Sequence, residues 1–143
     1  MPSGAERAPY GLVIDASGMI VALLGRSAEA AAIRQRLSRA TCHAPHLIDA
    51  EVGNVLRRRV LRGALAAADA EALLHASAPL VDHRYEMTRA LARAAWALRQ
   101  NVSFYDGLHV ALATALAVPL VTADARLSTA PGLGCAVEAV GSA

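Results

Sequence analysis

The chain has 143 residues, a length typical of one domain with a sizeable core. It is 55% hydrophobic and 18% charged, with a mean hydropathy of +0.36, which excludes a disordered segment. The 14 basic residues are all arginines and exceed the 12 acidic residues by two. This small excess permits a nucleic-acid partner without requiring one, and the lack of lysine excludes P-loop and Schiff-base chemistry.

The first part of the chain predicts two strands and four helices. The apolar run over 10–14 is typical of a buried strand that ends at Asp15. Ser17 is expected to cap a short helix over 18–24, and Ser27 to begin a helix that ends near Arg39. The other elements predicted here are a strand over 41–44, a helix over 46–62 that stops at Gly63, and a helix over 66–76.

The second part continues the alternation of strands and helices. Its predicted elements are a strand over 80–85, helices over 86–99 and 103–117, a strand over 120–122, a helical turn from Asp124 and an edge strand over 135–140. This order predicts an α/β fold with a mainly parallel sheet, formed by one domain over 10–143 after a flexible segment over 1–9. In such sheets, ligands bind beyond the carboxyl ends of the strands.

The pattern of the chain also indicates its compartment. Residues 1–9 are polar and small, which argues against a cleaved signal peptide. The apolar runs are interrupted by Asp15, His109 and Pro119, so a membrane span is not expected. Cys42 and Cys135 lie far apart in apolar stretches, which favours two buried thiols in a reducing cytoplasm.

Two acidic residues stand out in apolar surroundings. Asp15 follows a buried strand, where an isolated carboxylate is costly unless it is paired or bound to a metal. Because Ser17 is better placed to cap the helix, we expect Asp15 to be functional. On the next long helix, Asp49 suits the first turn through the helix dipole, whereas Glu51 shares a face with apolar residues and has no such explanation.

Asp106 and Asp124 each have a structural and a functional interpretation. Ser103 and Asp106 match the capping-box pattern, although the face of Asp106 points into the protein. Asp124 follows a short strand and could simply cap a helical turn, and Thr122 beside it could bind a carboxylate, a water or only its own backbone. For both acids the two interpretations have about equal weight.

Taken together, the four acids predict a metal site at one end of the sheet. Carboxylates that lie so close repel each other unless a cation neutralises them. Oxygen ligands suit Mg²⁺ or Mn²⁺, and the corresponding chemistry is metal-assisted phosphoryl transfer.

Four motifs together resemble the PIN-domain family, specifically the VapC-type toxins of bacterial toxin–antitoxin pairs. They are LVIDAS over 12–17, DAEVGNVLRR over 49–58, YDGLHVALA over 105–113 and LVTADARL over 120–127. The resemblance covers residues 10–140, nearly the whole chain. Gly107 stands where the family usually has alanine, and His109 where it often has tyrosine, so His109 is either a donor to the site or a buried core histidine.

The resemblance implies a three-layer α/β/α sandwich and a Mg²⁺- or Mn²⁺-dependent endoribonuclease that acts as a toxin. The residues that it implies are the acidic quartet Asp15, Glu51, Asp106 and Asp124, with polar partners Ser17, Thr122 and Asn54. It further implies a homodimer and inhibition by a VapB-type antitoxin. The alternative is a PIN-like scaffold that binds RNA or a protein with little or no catalytic activity.

Four arginines follow Glu51 along the same helix, at Arg57, Arg58, Arg59 and Arg62. They are either a solvated basic face, favoured near a helix C-terminus, or contacts to the phosphates of an RNA substrate. The five aromatic residues, in contrast, argue against an RNA-binding module that stacks bases. Specificity is then expected to come from the shape of the RNA and its local loops.

Three other protein classes lack a residue that they need. A haloacid-dehalogenase-like phosphatase needs a second aspartate two residues after the first, where this chain has Ser17. A phospho-receiver domain needs a lysine, and the chain has none. A dinucleotide-binding domain needs the G-x-G-x-x-G motif after its first strand, and that motif is missing.

Overall fold

The structure is a computed structural model that describes residues 10–141. The segment over 1–9, for which flexibility was predicted, lies outside the described residues. The elements of the first part are β1 (Gly11–Ile14), α1 (Ala16–Leu24), α2 (Ala28–Arg39), β2 (Thr41–Pro45), α3 (Leu47–Leu61) and α4 (Ala67–Ser77). Those of the second part are β3 (His83–Tyr85), α5 (Arg89–Ala97), α6 (Phe104–Leu116), β4 (Leu120–Thr122), α7 (Ala125–Thr129) and β5 (Val137–Ala139).

The five strands form one parallel sheet in the order β3-β2-β1-β4-β5, which confirms the predicted fold class. In the register of the sheet, Val13 of β1 lies between His43 of β2 and Leu120 of β4. The strand order reverses direction between β1 and β4. A crevice forms at such a reversal, beyond the carboxyl ends of the two strands.

Helices cover both faces of the sheet because successive strand residues point to opposite sides. Leu12 and Ile14 belong to a cluster packed with residues of α1 to α4, whereas Val13 belongs to a second cluster with Leu112 of α6 and Leu120. These two clusters make the α/β/α layers. No single helix within residues 10–141 is long and apolar enough to cross a membrane; α1 and α2 meet the criteria of length and composition only as a pair bent by 108°.

Several element boundaries differ from the sequence-based prediction. The strand predicted over 80–85 is shorter, because a 3₁₀ turn occupies Ala78–Leu80 before β3. The helix predicted over 86–99 begins only after Thr88, whose hydroxyl accepts the N–H of Leu91 and caps α5. The edge strand predicted over 135–140 contracts to β5.

The two cysteines are both free. Cys42 is buried in β2, and burial raises the pKa of its thiol to about 12. Cys135 is only half-buried, so the expectation of two buried thiols is wrong for this residue. It lies just before β5, the edge strand of the sheet.

Candidate active site

A cavity of about 380 Å³ lies at the carboxyl ends of β1 and β4, in the crevice where the strand order reverses. Its lining includes all four predicted acids, Asp15, Glu51, Asp106 and Asp124, together with Ser17 and Arg59. Two of the acids follow strands directly, and the other two lie on α3 and α6. The fold thus brings together residues that are more than 100 positions apart in the sequence.

Asp15 is the most buried of the four acids, with 5% of its surface exposed. Its Oδ1 accepts hydrogen bonds from Ser17 Oγ at 2.7 Å and from the N–H of Gly18 at 2.8 Å. Its Oδ2 accepts a hydrogen bond from Thr122 Oγ1 of the neighbouring strand β4. These three donors offset the cost of burying a carboxylate that has no cationic partner within residues 10–141.

The bond from Gly18 makes Asp15 the N-cap of α1, so the expectation that Ser17 caps this helix is wrong. Ser17 lies in the first turn instead, and its hydroxyl also accepts the N–H of Ala123 at 2.9 Å. Thr122 is fully buried and accepts the N–H of Asp124 at 3.0 Å. Ser17 and Thr122 therefore orient Asp15 and join the loop after β4 to the start of α1.

Asp106 is half-buried in the first turn of α6, where Ser103 Oγ accepts its backbone N–H at 3.1 Å. Burial raises the pKa of the Asp106 carboxyl, a hydrogen bond with Ser103 offsets part of this shift, and the charges of Asp15 and Asp124 raise the pKa further. The carboxylates of the cavity thus repel one another. A bound cation would relieve this repulsion.

Asp124 caps α7 and is turned towards Arg126. Its Oδ1 accepts the backbone N–H and Nε of Arg126 at 3.0 and 3.1 Å, and its Oδ2 accepts Nη2 at 3.0 Å. These hydrogen bonds hold the pKa of Asp124 below its usual value. The guanidinium of Arg126 is therefore bonded to the same carboxylate oxygens that a metal ion would bind.

Glu51 extends from α3 into the cavity and meets His109, which is fully buried on α6. His109 Nε2 lies 2.7 Å from Glu51 Oε1, and because an ionised carboxylate can only accept, the ring N–H donates to it. His109 Nδ1 is buried with no partner among the described residues. Asp49, by contrast, pairs with Arg84 and does not line the cavity.

Not every predicted site residue reaches the cavity. Asn54 is exposed on α3 and is absent from the lining. Of the four arginines that follow Glu51, only Arg59 lines the cavity, and its Nε is buried without a partner among the described residues. The other three arginines are exposed and do not line the cavity; they are Arg57 and Arg58 on α3 and Arg62, the residue just after this helix.

The donor set suits Mg²⁺ or Mn²⁺ because it consists of carboxylate and hydroxyl oxygens around one cavity. Within residues 10–141, no three acidic, histidine or cysteine side chains already stand within reach of one ion. The reason is visible in the contacts, since Asp15 is directed at Thr122 and Asp124 at Arg126. The residues therefore fit the cation in chemistry, and Arg126 stands where it would compete with the cation for the carboxylate of Asp124.

One feature of the site was not predicted from the sequence, and for a second, the role of His109 as a donor, the partner was not predicted. The pairing of Arg126 with Asp124 joins residues two positions apart, and the motif that contains them carries no sign of it. The contact between His109 and Glu51 joins residues 58 positions apart. The position of His109 on the inward face of α6, three residues after Asp106, was the one available signal.

The PIN domain family model matches residues 12–133. Ribonuclease VapC1 of Mycobacterium tuberculosis is 48% identical over 128 residues, which cover 90% of this chain and 96% of VapC1. The structure of VapBC2 from Rickettsia felis, solved with a promoter DNA fragment, has a TM-score of 0.67 at 12% identity. The match covers 90% of this chain and 98% of the Rickettsia felis chain. Mycobacterium tuberculosis VapC20, a sarcin-ricin loop cleaving toxin, has a TM-score of 0.63 at 16% identity. The match covers 86% of this chain and 97% of VapC20. This chain belongs to the PIN-domain family and, within it, to the VapC ribonucleases, the toxins of VapBC toxin–antitoxin systems.

Proposed function

We propose that this chain is a Mg²⁺- or Mn²⁺-dependent endoribonuclease whose site is the cavity between β1 and β4. The observation that supports it best is the gathering of Asp15, Glu51, Asp106 and Asp124 around this one cavity. The raised pKa of Asp106, caused in part by its acidic neighbours, supports a role in binding a cation. When bound, the metal would activate a water molecule for attack on the phosphodiester and stabilise the leaving oxygen.

The protein residues divide the remaining work. Asp15 and Asp106 would ligate the cation, with Glu51 and Asp124 completing the set. Ser17 and Thr122 orient the carboxylate of Asp15 through their hydroxyls. These hydrogen bonds hold the carboxylate of Asp15 in place before the substrate arrives, which lowers the cost of reaching the transition state.

Arg59 would hold the phosphate of the RNA. It is the arginine of α3 that lines the acidic cavity, and its Nε has no partner among the described residues. A guanidinium can bind two phosphate oxygens at once and so orient the scissile bond. The contact positions the strand and does not read its sequence.

We also propose that the chain forms a homodimer and is inhibited by a VapB-type antitoxin. The structural relatives from Rickettsia felis and from Salmonella typhimurium are VapBC assemblies, which supports an antitoxin partner for this member of the family. Sedimentation of the pure chain at micromolar concentration tests the dimer, and a monomer under these conditions would contradict it.

The proposed activity is tested by incubating the purified chain with total RNA in Mg²⁺ and in EDTA. Cleavage is expected only with the cation and is expected to be lost in Asp15→Asn and Asp106→Asn. For Glu51→Gln, the matched control is Asp49→Asn, which changes an acid on the same helix that pairs with Arg84 outside the cavity. Cleavage that persists in EDTA, or in both aspartate variants, would refute the assignment.

A further inference from the structure

A second concave surface lies on α5, on the side of α6 away from the acidic cavity. We call it the Trp96 groove; its volume is about 490 Å³ and its lining is Arg89, Ala92, Arg93, Trp96, Ala97, Arg99 and Phe104. The lining residues of α5 are spaced by three or four positions, so they form one face of the helix. Nothing in the proposed chemistry of the acidic cavity uses this face.

The groove joins an exposed aromatic ring to unpaired positive charge. Trp96 is 60% exposed, although a tryptophan buries a large apolar area when it is covered. The guanidinium of Arg99 lies 5.2 Å from the centre of its ring. Arg89, Arg93 and Arg99 form no ion pair with any described residue, and no described acidic side chain lines the groove.

The groove adjoins the acidic cavity through the first turn of α6. Phe104 lines the groove, the next residue Tyr105 is 61% exposed, and Asp106 lines the cavity. Two residues of helix correspond to about 3 Å of rise and about 200° of rotation, so Phe104 and Asp106 lie at one level on opposite sides of α6, separated by no more than the helix diameter of about 10–12 Å. The helices approach closely here because Gly107 has no side chain; a Cβ there would stand 3.0 Å from the carbonyl oxygen of Ala95.

We infer that the Trp96 groove binds single-stranded RNA next to the scissile bond, with a base stacked on Trp96 and phosphates held by the neighbouring arginines. This inference rests on the proposed function and identifies where its substrate continues. An aromatic face beside several arginines is the usual chemistry of single-strand binding, because every base has a face to stack. The uncompensated positive charge favours a polyanion over an apolar protein segment or a second copy of the chain.

The inference revises one expectation from the sequence. The low number of aromatic residues argued against base stacking, yet Trp96 and Phe104 line one groove and Tyr105 is exposed beside it. Stacking needs one or two well-placed rings, not a high aromatic content. The sequence could not show that residues on α5 and α6 share a surface.

Trp96 is the only tryptophan of the chain, so its fluorescence reports on the groove alone. The full-length protein is titrated with a six-nucleotide oligouridine in the presence of EDTA. Under the proposed function, EDTA prevents cleavage of the oligonucleotide. We expect saturable quenching of Trp96 by the oligonucleotide and none by a polyglutamate peptide of equal charge. Fluorescence anisotropy of a labelled oligouridine is expected to show affinity on the order of ten-fold weaker for Trp96→Ala. Most of the lost affinity should return in Trp96→Phe, which retains an aromatic face.

The matched control is Leu61→Ala, because Leu61 is an equally exposed apolar side chain on α3, outside the groove. Unchanged RNA affinity in Trp96→Ala with intact cleavage would overturn the inference and leave the proposed function standing. Quenching by RNA without metal-dependent cleavage would support the inference and contradict the proposed function. Equal quenching by polyglutamate, or a change that follows protein concentration alone, would assign the groove to a protein partner or to a second copy and would also overturn the inference.

Discussion

Replacing His109 by leucine separates the stability of the fold from the proposed function of the site. The side chain is fully buried, and its Nε2–H donates to Glu51 Oε1 over 2.7 Å. A hydrogen bond to a charged group contributes about 1.5–3 kcal/mol, but the buried Nδ1 of His109 has no partner among the described residues and costs about 1–3 kcal/mol. These two contributions nearly cancel, so the free energy of unfolding should change by about 1 kcal/mol or less.

The affinity for metal should change much more. Without the imidazole, the carboxylate of Glu51 is free to leave the position in which the cavity needs it. Loss of a group that orients a metal ligand weakens metal binding or activity by about 10- to 100-fold. We expect such a loss in titration calorimetry with Mn²⁺, and a similar fall in kcat with little change in KM for RNA.

Two variants make this test specific. His109→Gln retains an N–H donor and should recover part of the Mn²⁺ affinity. His43→Leu is the matched control, because His43 Nδ1 lies 2.8 Å from the hydroxyl of Tyr85 and the residue does not line the cavity. Mn²⁺ affinity and cleavage within two-fold of the unaltered chain in His109→Leu would refute the reasoning.

Three other outcomes follow from the structure. Because the pKa of Asp106 is raised on folding, its ionised form destabilises the folded chain at pH 7. Asp106→Asn should therefore raise the Tm measured in EDTA, by an amount that shrinks as the pH falls towards 4. A lower Tm for this variant at pH 7 would contradict the prediction. Arg126→Gln frees the carboxylate of Asp124 and should strengthen Mn²⁺ binding several-fold in calorimetry, whereas weaker binding would show that the two do not compete. Ala117 ends α6 with a φ of +54°, so Ala117→Gly should increase the free energy of unfolding by about 1 kcal/mol in urea titration, and a decrease would be unexpected.

Much of the fold could be predicted because local signals and hydrophobic patterns agreed. Ser27 and Ser103 cap the helices that they were expected to cap, and the apolar run before Asp15 forms a central strand. The boundaries that failed depend on contacts far along the chain. The segment before β3, for example, has the carboxylate of Asp82 bonded to the N–H of Cys42, 40 residues away.

The candidate site could be predicted in its composition and less well in its geometry. Asp15 could be singled out because it follows a buried strand, but its role as the cap of α1 accompanies a hydrogen bond from Thr122 of another strand, which the local sequence does not show. Asn54 shares a helix with Glu51 and faces solvent, whereas Arg59, two turns beyond Glu51, enters the cavity. Which of several polar residues on one helix faces a cavity is decided by the packing of that helix, which periodicity describes only approximately.

The bond between Asp15 and Thr122 has a consequence for how the protein is made. The two residues are 107 positions apart, and Ser17 reaches Ala123 over a similar separation. During synthesis the amino-terminal end of the chain emerges first. Thr122 can therefore orient the carboxylate of Asp15 only after β4 has also emerged. The oriented carboxylate of Asp15 is therefore among the last features of the acidic cavity to form, when synthesis is nearly complete.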